Sequence, residues 1–284
     1  MEDVSALPEC QLLRVPKAGN TLKECEDAGL SWFGDARADD QGRTVLPLYA
    51  AVSDGASESL LAGAWAARLV ADAVESMSFG RDWWDDVDTF VVDLMERSAL
   101  RWEAYLEWYR AERDARGRPI TWYEQPGLEK GAFATMLGAE VRATVPGNGR
   151  TDWSWHAFAL GDSCLFHVRD GVVRRAFPLE DVEGFGITPQ LLGSRNHDTA
   201  LVAERLQLAH GTLAPGDEVL LASDALAAWL LSPHHGHRAP GTVLATLAEL
   251  GNEPFTEWVE DQRVRGLMRN DDVTLIRIRV RTEA

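Results

Sequence analysis

The chain has 284 residues, 45% hydrophobic and 26% charged, which is an ordinary globular composition with enough apolar side chain for a large core. A formal net charge of −17 speaks against a nucleic-acid or anionic-membrane partner, both of which call for a basic face, and no apolar run approaches membrane-spanning length. Cys10, Cys25 and Cys164 are odd in number and unrelated in spacing, so neither a disulfide framework nor a zinc site is expected. That usage, and a start (MEDVSALPECQLL) without signal-peptide pattern, points to a cytoplasmic protein.

Residues 1–20 read as a leading strand or loose arm. Two apolar stretches follow, around Leu30-Ser31-Trp32-Phe33 and over residues 45–52. The polar turn Asp39-Asp40-Gln41-Gly42 between them predicts a hairpin. Ser57 is expected to start a helix, its hydroxyl capping the end and Glu58 favouring the positive pole; Leu61, Trp65, Leu69 and Ala73 follow at helical spacing. A Trp-rich helical region spans about 78–128. Its large apolar members include Trp83, Trp84, Phe90, Leu94, Trp102, Leu106 and Trp108, and it breaks at Gly117-Arg118-Pro119. Helix core and an aromatic binding surface are both open for these tryptophans.

From residue 131 the pattern turns to strands: GAFATMLGAEV, SWHAFAL and CLFHVRDGVVRRAF. The turns fall at Pro146-Gly147-Asn148-Gly149, Gly161-Asp162-Ser163 and Arg169-Asp170-Gly171. Residues 180–213 look irregular and polar. EVLLAS is a further strand, residues 225–231 and 243–250 are helices, and VTLIRIRV is a half-buried edge strand with Arg277, Arg279 and Arg281 on one face. His234, His235 and His237 form a polar loop or a metal-binding one. His156 and His167 lie within strands, and Cys164 packs as a small hydrophobe. Grouped strands with inserted helices predict an α+β fold: two stacked antiparallel β-sheets flanked by helices, as a single domain over 1–284.

Acidic residues recur at the ends of the apolar runs: Glu26-Asp27, Ser53-Asp54-Gly55, Gly161-Asp162-Ser163, Ser223-Asp224 and Asn270-Asp271-Asp272. Singly, each is a common turn sequence. Gathered on one sheet edge they would repel each other unless a cation sat among them, and Mg²⁺ and Mn²⁺ take oxygen ligands of this kind.

Motif by motif, the chain resembles the metal-dependent type 2C (PPM family) protein phosphatases, of a bacterial type. CEDAG resembles the family's opening Glu-Asp-Ala element and AVSDGASES its strand-end Asp-Gly. KGAFATMLGAEV resembles its central strand, ALGDSCLFHVRDG its Gly-Asp-Ser hairpin, PGDEVLLASDAL its late Ser-Asp strand and RNDDVTLIRI its terminal strand. All six stand in the family's order over residues 24–280.

The resemblance implies a serine/threonine phosphatase with two or three Mn²⁺ or Mg²⁺ ions and a phosphorylated protein as substrate. It also implies that a metal-bound water, and no side chain, would be the nucleophile. By position, Asp54 would bridge two metals with the Gly55 carbonyl beside it. Asp224 and Asp271 would complete one shell, Glu26 would serve the other metal with Asp27 behind it, and Asp162 would take part in a third site. Three positions depart from the family. Leu22 stands where a phosphate-binding Arg is usual, leaving Lys23 as the nearest base. Ala56 stands where some relatives carry His, and Ala225 replaces a usual Gly, which puts that turn in question. The rival reading is a pseudophosphatase, the same fold serving as a binding or regulatory module.

Overall fold

The computed structural model describes residues 7–79, 82–146, 150–186, 189–233 and 239–281. The histidines at 234, 235 and 237 and the Gly147-Asn148-Gly149 turn lie outside them. The strands are β1 (Glu9–Val15), β2 (Ala28–Phe33), β3 (Arg37–Ala38), β4 (Thr44–Ser53), β5 (Phe133–Ala134), β6 (Met136–Val145), β7 (Asp152–Leu160), β8 (Cys164–Arg169), β9 (Val172–Phe177), β10 (Leu192–Gly193), β11 (Gln207–Leu213), β12 (Glu218–Ala222) and β13 (Val273–Arg279). The helices are α1 (Ala62–Phe79), α2 (Val87–Ala115), α3 (Gln125–Lys130), α4 (Thr199–Arg205), α5 (Asp224–Leu231), α6 (Pro240–Leu250) and α7 (Asn252–Val264).

Two antiparallel sheets stack face to face. One has the order β1-β13-β12-β8-β9, the other β11-β7-β6-β4-β2, and the short pair β10-β5 stands apart. Leu48, Ala50 and Val52 of β4 meet Leu165, Val219, Leu221, Ile276 and Ile278 between the sheets. The alternate residues Tyr49 and Ala51 face α1 and α2. This is why β4 is apolar along its length: both of its faces are covered. A third core joins Phe166, Leu220 and Leu275 to α5, α6 and α7. The predicted α+β sandwich is therefore the observed one. Among the described residues, no helix is long and apolar enough to cross a membrane.

Several elements differ from expectation. Helix α1 begins at Ala62, not Ser57. The Ser57 hydroxyl is engaged instead by Glu26 Oε2 at 2.5 Å and Lys17 Nζ at 2.8 Å, so it caps nothing. Strand β13 is central, not an edge, because β1 returns from the N-terminal part of the chain to cover it. Its Arg277 is buried and donates to Glu218 at 2.5 Å, which satisfies the charge that suggested solvent. The stretch 180–213 holds α4, capped by Asp198 accepting from Leu201 N at 3.0 Å, and the edge strand β11. Helix α7 had no sequence signal singled out.

The tryptophans divide. Trp65 and Trp102 are buried in an edge-to-face pair with centroids 5.3 Å apart. Trp83 and Trp84 occupy the turn before α2 rather than a helix, and Trp122 is 86% exposed. Helix α2 starts at its Asp86 cap and stops before Gly117, whose φ of 67° suits glycine. His156 stacks on Trp84 at 3.5 Å with its Nδ1 unpartnered, whereas His167 pairs with Asp217 at 2.8 Å.

Candidate active site

Antiparallel register brings the acidic motifs to one edge. Ala28 pairs with Ser53, Val52 with Leu137, and Met136 with Leu160, while Ala222 lies between Cys164 and Leu275. The start of β2, the end of β4, the β7–β8 turn, the end of β12 and the start of β13 therefore coincide. Those are the places of Asp27, Asp54, Asp162, Asp224 and Asp271.

The loop after β4 is pinned on all sides. Asp54 N donates to Thr135 Oγ1 at 2.9 Å, Thr135 N donates to Asp54 O at 2.8 Å, and Ser53 Oγ donates to Thr135 O at 2.6 Å. Gly55 N donates to the Glu26 carbonyl at 3.2 Å. A Cβ on Gly55 would lie 2.8 Å from Ala62 C and 2.9 Å from Glu26 O, both backbone, so only glycine fits. Asp224 opens α5 behind Ser223. Ala225 sits there in ordinary helix, so the loss of the usual Gly does not disturb the turn.

The charges are poorly compensated. Burial, and then Asp27, Asp224, Asp271 and Asp162, push the Asp54 carboxyl well above the ordinary carboxylate range. Burial raises Asp27 to about 7; the Ser223 hydroxyl opposes this, and Asp272 and Asp224 add to it. Ser223 and Thr274 lie beside Asp27, yet neither completes a well-formed hydrogen bond, and both Asp27 oxygens are buried without a partner. Asp162, raised by burial and by Asp224 to about 6, and Asp224, raised by burial, each have one buried oxygen unpartnered.

Two side chains not foreseen at this edge answer part of the charge. Lys17 Nζ lies 3.3 Å from Glu26 Oε2 and 3.1 Å from Asp271 Oδ1. Burial disfavours its ammonium, but Asp271, and then Glu26, outweigh that and raise its pKa. Arg269 Nη2 lies 2.5 Å from Asp224 Oδ2. Lys23 is exposed and lines a neighbouring cleft of about 450 Å³ with Glu26, Asp27 and Gly63, and Leu22 is 57% exposed. Among the described residues, no three carboxylate, imidazole or thiol side chains converge on one point as metal ligands do.

No family model matches this sequence, and no curated protein matches it. Solved structures do. The chain is similar to the S. agalactiae serine/threonine phosphatase at 15% identity, with a TM-score of 0.52 over 96% of this chain and 100% of that one. The fold is that of the type 2C protein phosphatases. Stp1 from Staphylococcus aureus (16% identity, TM-score 0.47, 97% of this chain and 96% of that one) also matches. So does the catalytic domain of PstP, solved with two manganese ions (18% identity, TM-score 0.48, 97% and 99%). Both fall lower and add nothing to that assignment.

In this type 2C fold, further residues shape the edge from behind. Asp272 accepts from Lys17 N and Glu26 N, both at 2.7 Å, and so clamps the loop after β1 onto the start of β13. Arg14 donates to the Asp27 carbonyl, and Arg263 to those of Asp271 (2.5 Å) and Pro16 (3.0 Å). The doubled acid Asp271-Asp272 was the only sequence signal for any of this; the arginines carry no local pattern.

Proposed function

We propose that this chain is a metal-dependent serine/threonine protein phosphatase of the type 2C family, working as a single catalytic domain on phosphate monoesters of a protein substrate. The observation that carries the proposal is the cluster of buried, unpartnered carboxylate oxygens at one sheet edge: two on Asp27, one on Asp162, one on Asp224. Leaving such groups unpaired costs about 1–3 kcal/mol each. A divalent cation is the partner that these three mutually repelling acids fit best in charge and donor chemistry.

Asp54, Asp224 and Asp271 would hold one Mn²⁺ or Mg²⁺, and Asp54 with Glu26 a second, the Gly55 carbonyl serving as a ligand beside Asp54. Asp27 would orient the second ion's surroundings, and Asp162 would serve a third. The chemistry such ions supply is a water acidified toward neutral pH and positive charge against the phosphoryl oxygens. The protein's part is to hold the acids on a rigid edge. Thr135 fixes Asp54, Asp272 fixes the Glu26 loop, and the helix N-terminus fixes Asp224. A cysteine nucleophile is disfavoured: burial raises the thiol of Cys10, that of Cys25 to about 11 and that of Cys164 to about 12.

A pseudophosphatase is the second reading. It is favoured by exposed Leu22 and by Lys17 and Arg269 occupying carboxylates that a metal would need. Hydrolysis of p-nitrophenyl phosphate and a phosphothreonine peptide, with Mn²⁺, Mg²⁺ or EDTA, separates the two. Turnover that requires metal is expected; a folded protein inactive under every condition supports the binding module.

A further inference from the structure

Lys17 and Arg269 are side chains on this edge that the catalytic proposal leaves unused, and the inference from Lys17 rests on that proposal. Lys17 lies two residues beyond the end of β1, and two hydrogen bonds fix its place. Its backbone N–H donates to Asp272 Oδ1 at 2.7 Å, and the preceding Pro16 carbonyl accepts from Arg263. From there the ammonium reaches three groups: Asp271 Oδ1 at 3.1 Å, Glu26 Oε2 at 3.3 Å and Ser57 Oγ at 2.8 Å. One cation thus ties together two acids that stand 245 positions apart in the chain (271 − 26). Those same two acids are assigned above to different metals.

We propose that Lys17 is a tethered counterion that competes with divalent cations for Glu26 and Asp271 and so sets the metal affinity of this edge. The competition is electrostatic and steric. An ammonium in contact with a carboxylate oxygen repels a second cation approaching the same group at the roughly 2.0–2.2 Å of a metal–oxygen bond. Metal binding therefore displaces the ammonium. Lysine suits the role, since its charge sits on a flexible four-carbon stem that can swing away without moving the backbone. Lys17 sits against two of the acids proposed as metal ligands, Glu26 and Asp271, whereas Arg269 sits against one, Asp224. Lys17 is accordingly the stronger competitor of the two.

The test is calorimetric titration of Mn²⁺ into the full chain, for wild type, Lys17→Met, Lys17→Arg and Arg269→Gln, with thermal unfolding in EDTA beside it. Lys17→Met is expected to bind Mn²⁺ about five- to tenfold more tightly and to show a larger rise in Tm on adding Mn²⁺. Lys17→Arg keeps the charge and is expected to stay near wild type. Arg269→Gln is expected to tighten binding less than Lys17→Met. Equal or weaker affinity in Lys17→Met overturns the proposal, as does tightening in Lys17→Arg, which would make packing rather than charge the cause. Should Lys17→Met fail to fold, Lys17→Gln carries the same expectation. If no protein in the series, wild type included, binds Mn²⁺, the metal-site proposal falls and this one with it.

Discussion

Strand β12 has a buried aspartate beyond each end, and the two ends behave in opposite ways. Asp217, 1% exposed, precedes the strand. Burial alone would raise its pKa, but Arg169, the Ala214 N–H and His167 overcome that and hold it down at about 2. Beyond the other end, Asp224 and its neighbour Asp27, 2% exposed, are pushed up and left with unpartnered oxygens. Little of either end meets solvent, but Asp27 and Asp224 lie deeper than Asp217 and have fewer partners. Burial of a carboxylate therefore does not mark a functional site here. Nor does one unpartnered oxygen, which Asp72 and Glu140 also keep beside their arginines; what supports the proposed site is several acids at one edge that raise one another.

The largest effect that would break this comparison is on activity. Asp54→Asn should lower metal-dependent hydrolysis by more than about a hundredfold, since losing only the outer partners of metal ligands costs roughly 10–100-fold. Asp217→Asn should leave the activity of folded protein near wild type. Steady-state rates on p-nitrophenyl phosphate with Mn²⁺ check both.

Stability should then split by sign. In EDTA, Asp217→Asn loses the charged bonds to Arg169 and His167 and should destabilise by about 1–3 kcal/mol. Asp27→Asn removes a charge that the fold does not compensate and should stabilise by on the order of 2 kcal/mol at neutral pH. Denaturant melts of the two variants measure this, and destabilisation by both would remove the contrast.

The pH dependence follows with the same signs. Asp27 has a folded pKa raised to about 7. Its share of stability is present below the unfolded value and lost as pH rises from about 4 to about 7. Asp217 is depressed to about 2, so its share is present above about 4 and lost as pH falls toward 2. Melts in EDTA from pH 2 to 8 should show both slopes, and Asp27→Asn should flatten the upper one. Gly55→Ala, whose Cβ meets backbone at 2.8 Å, should destabilise by a similar amount, about 1–3 kcal/mol. A melt that matched wild type would show that the Asp54 loop yields.

Much of this is legible in the sequence. Period-two strands, turn residues and acids at strand ends pointed to a stacked-sheet sandwich with its carboxylates on one edge, because register carries local pattern into position. What failed depended on distant partners. The alternating arginines of β13 suggested an edge, but Glu218 on the neighbouring strand neutralises Arg277. Ser57 resembled a helix cap until Glu26 and Lys17 claimed its hydroxyl. Lys23, next to Leu22 and three residues before Glu26, is the nearest base in the sequence, but the fold brings Lys17 to the carboxylates instead.

The most direct test is diffraction from crystals grown with Mn²⁺, using the metal's anomalous signal. The account predicts anomalous peaks at the edge bounded by Asp54, Asp224, Asp271 and Glu26, with the Lys17 ammonium drawn away from its two carboxylates. An edge without such peaks, with Lys17 and Arg269 still seated on their acids, would contradict it.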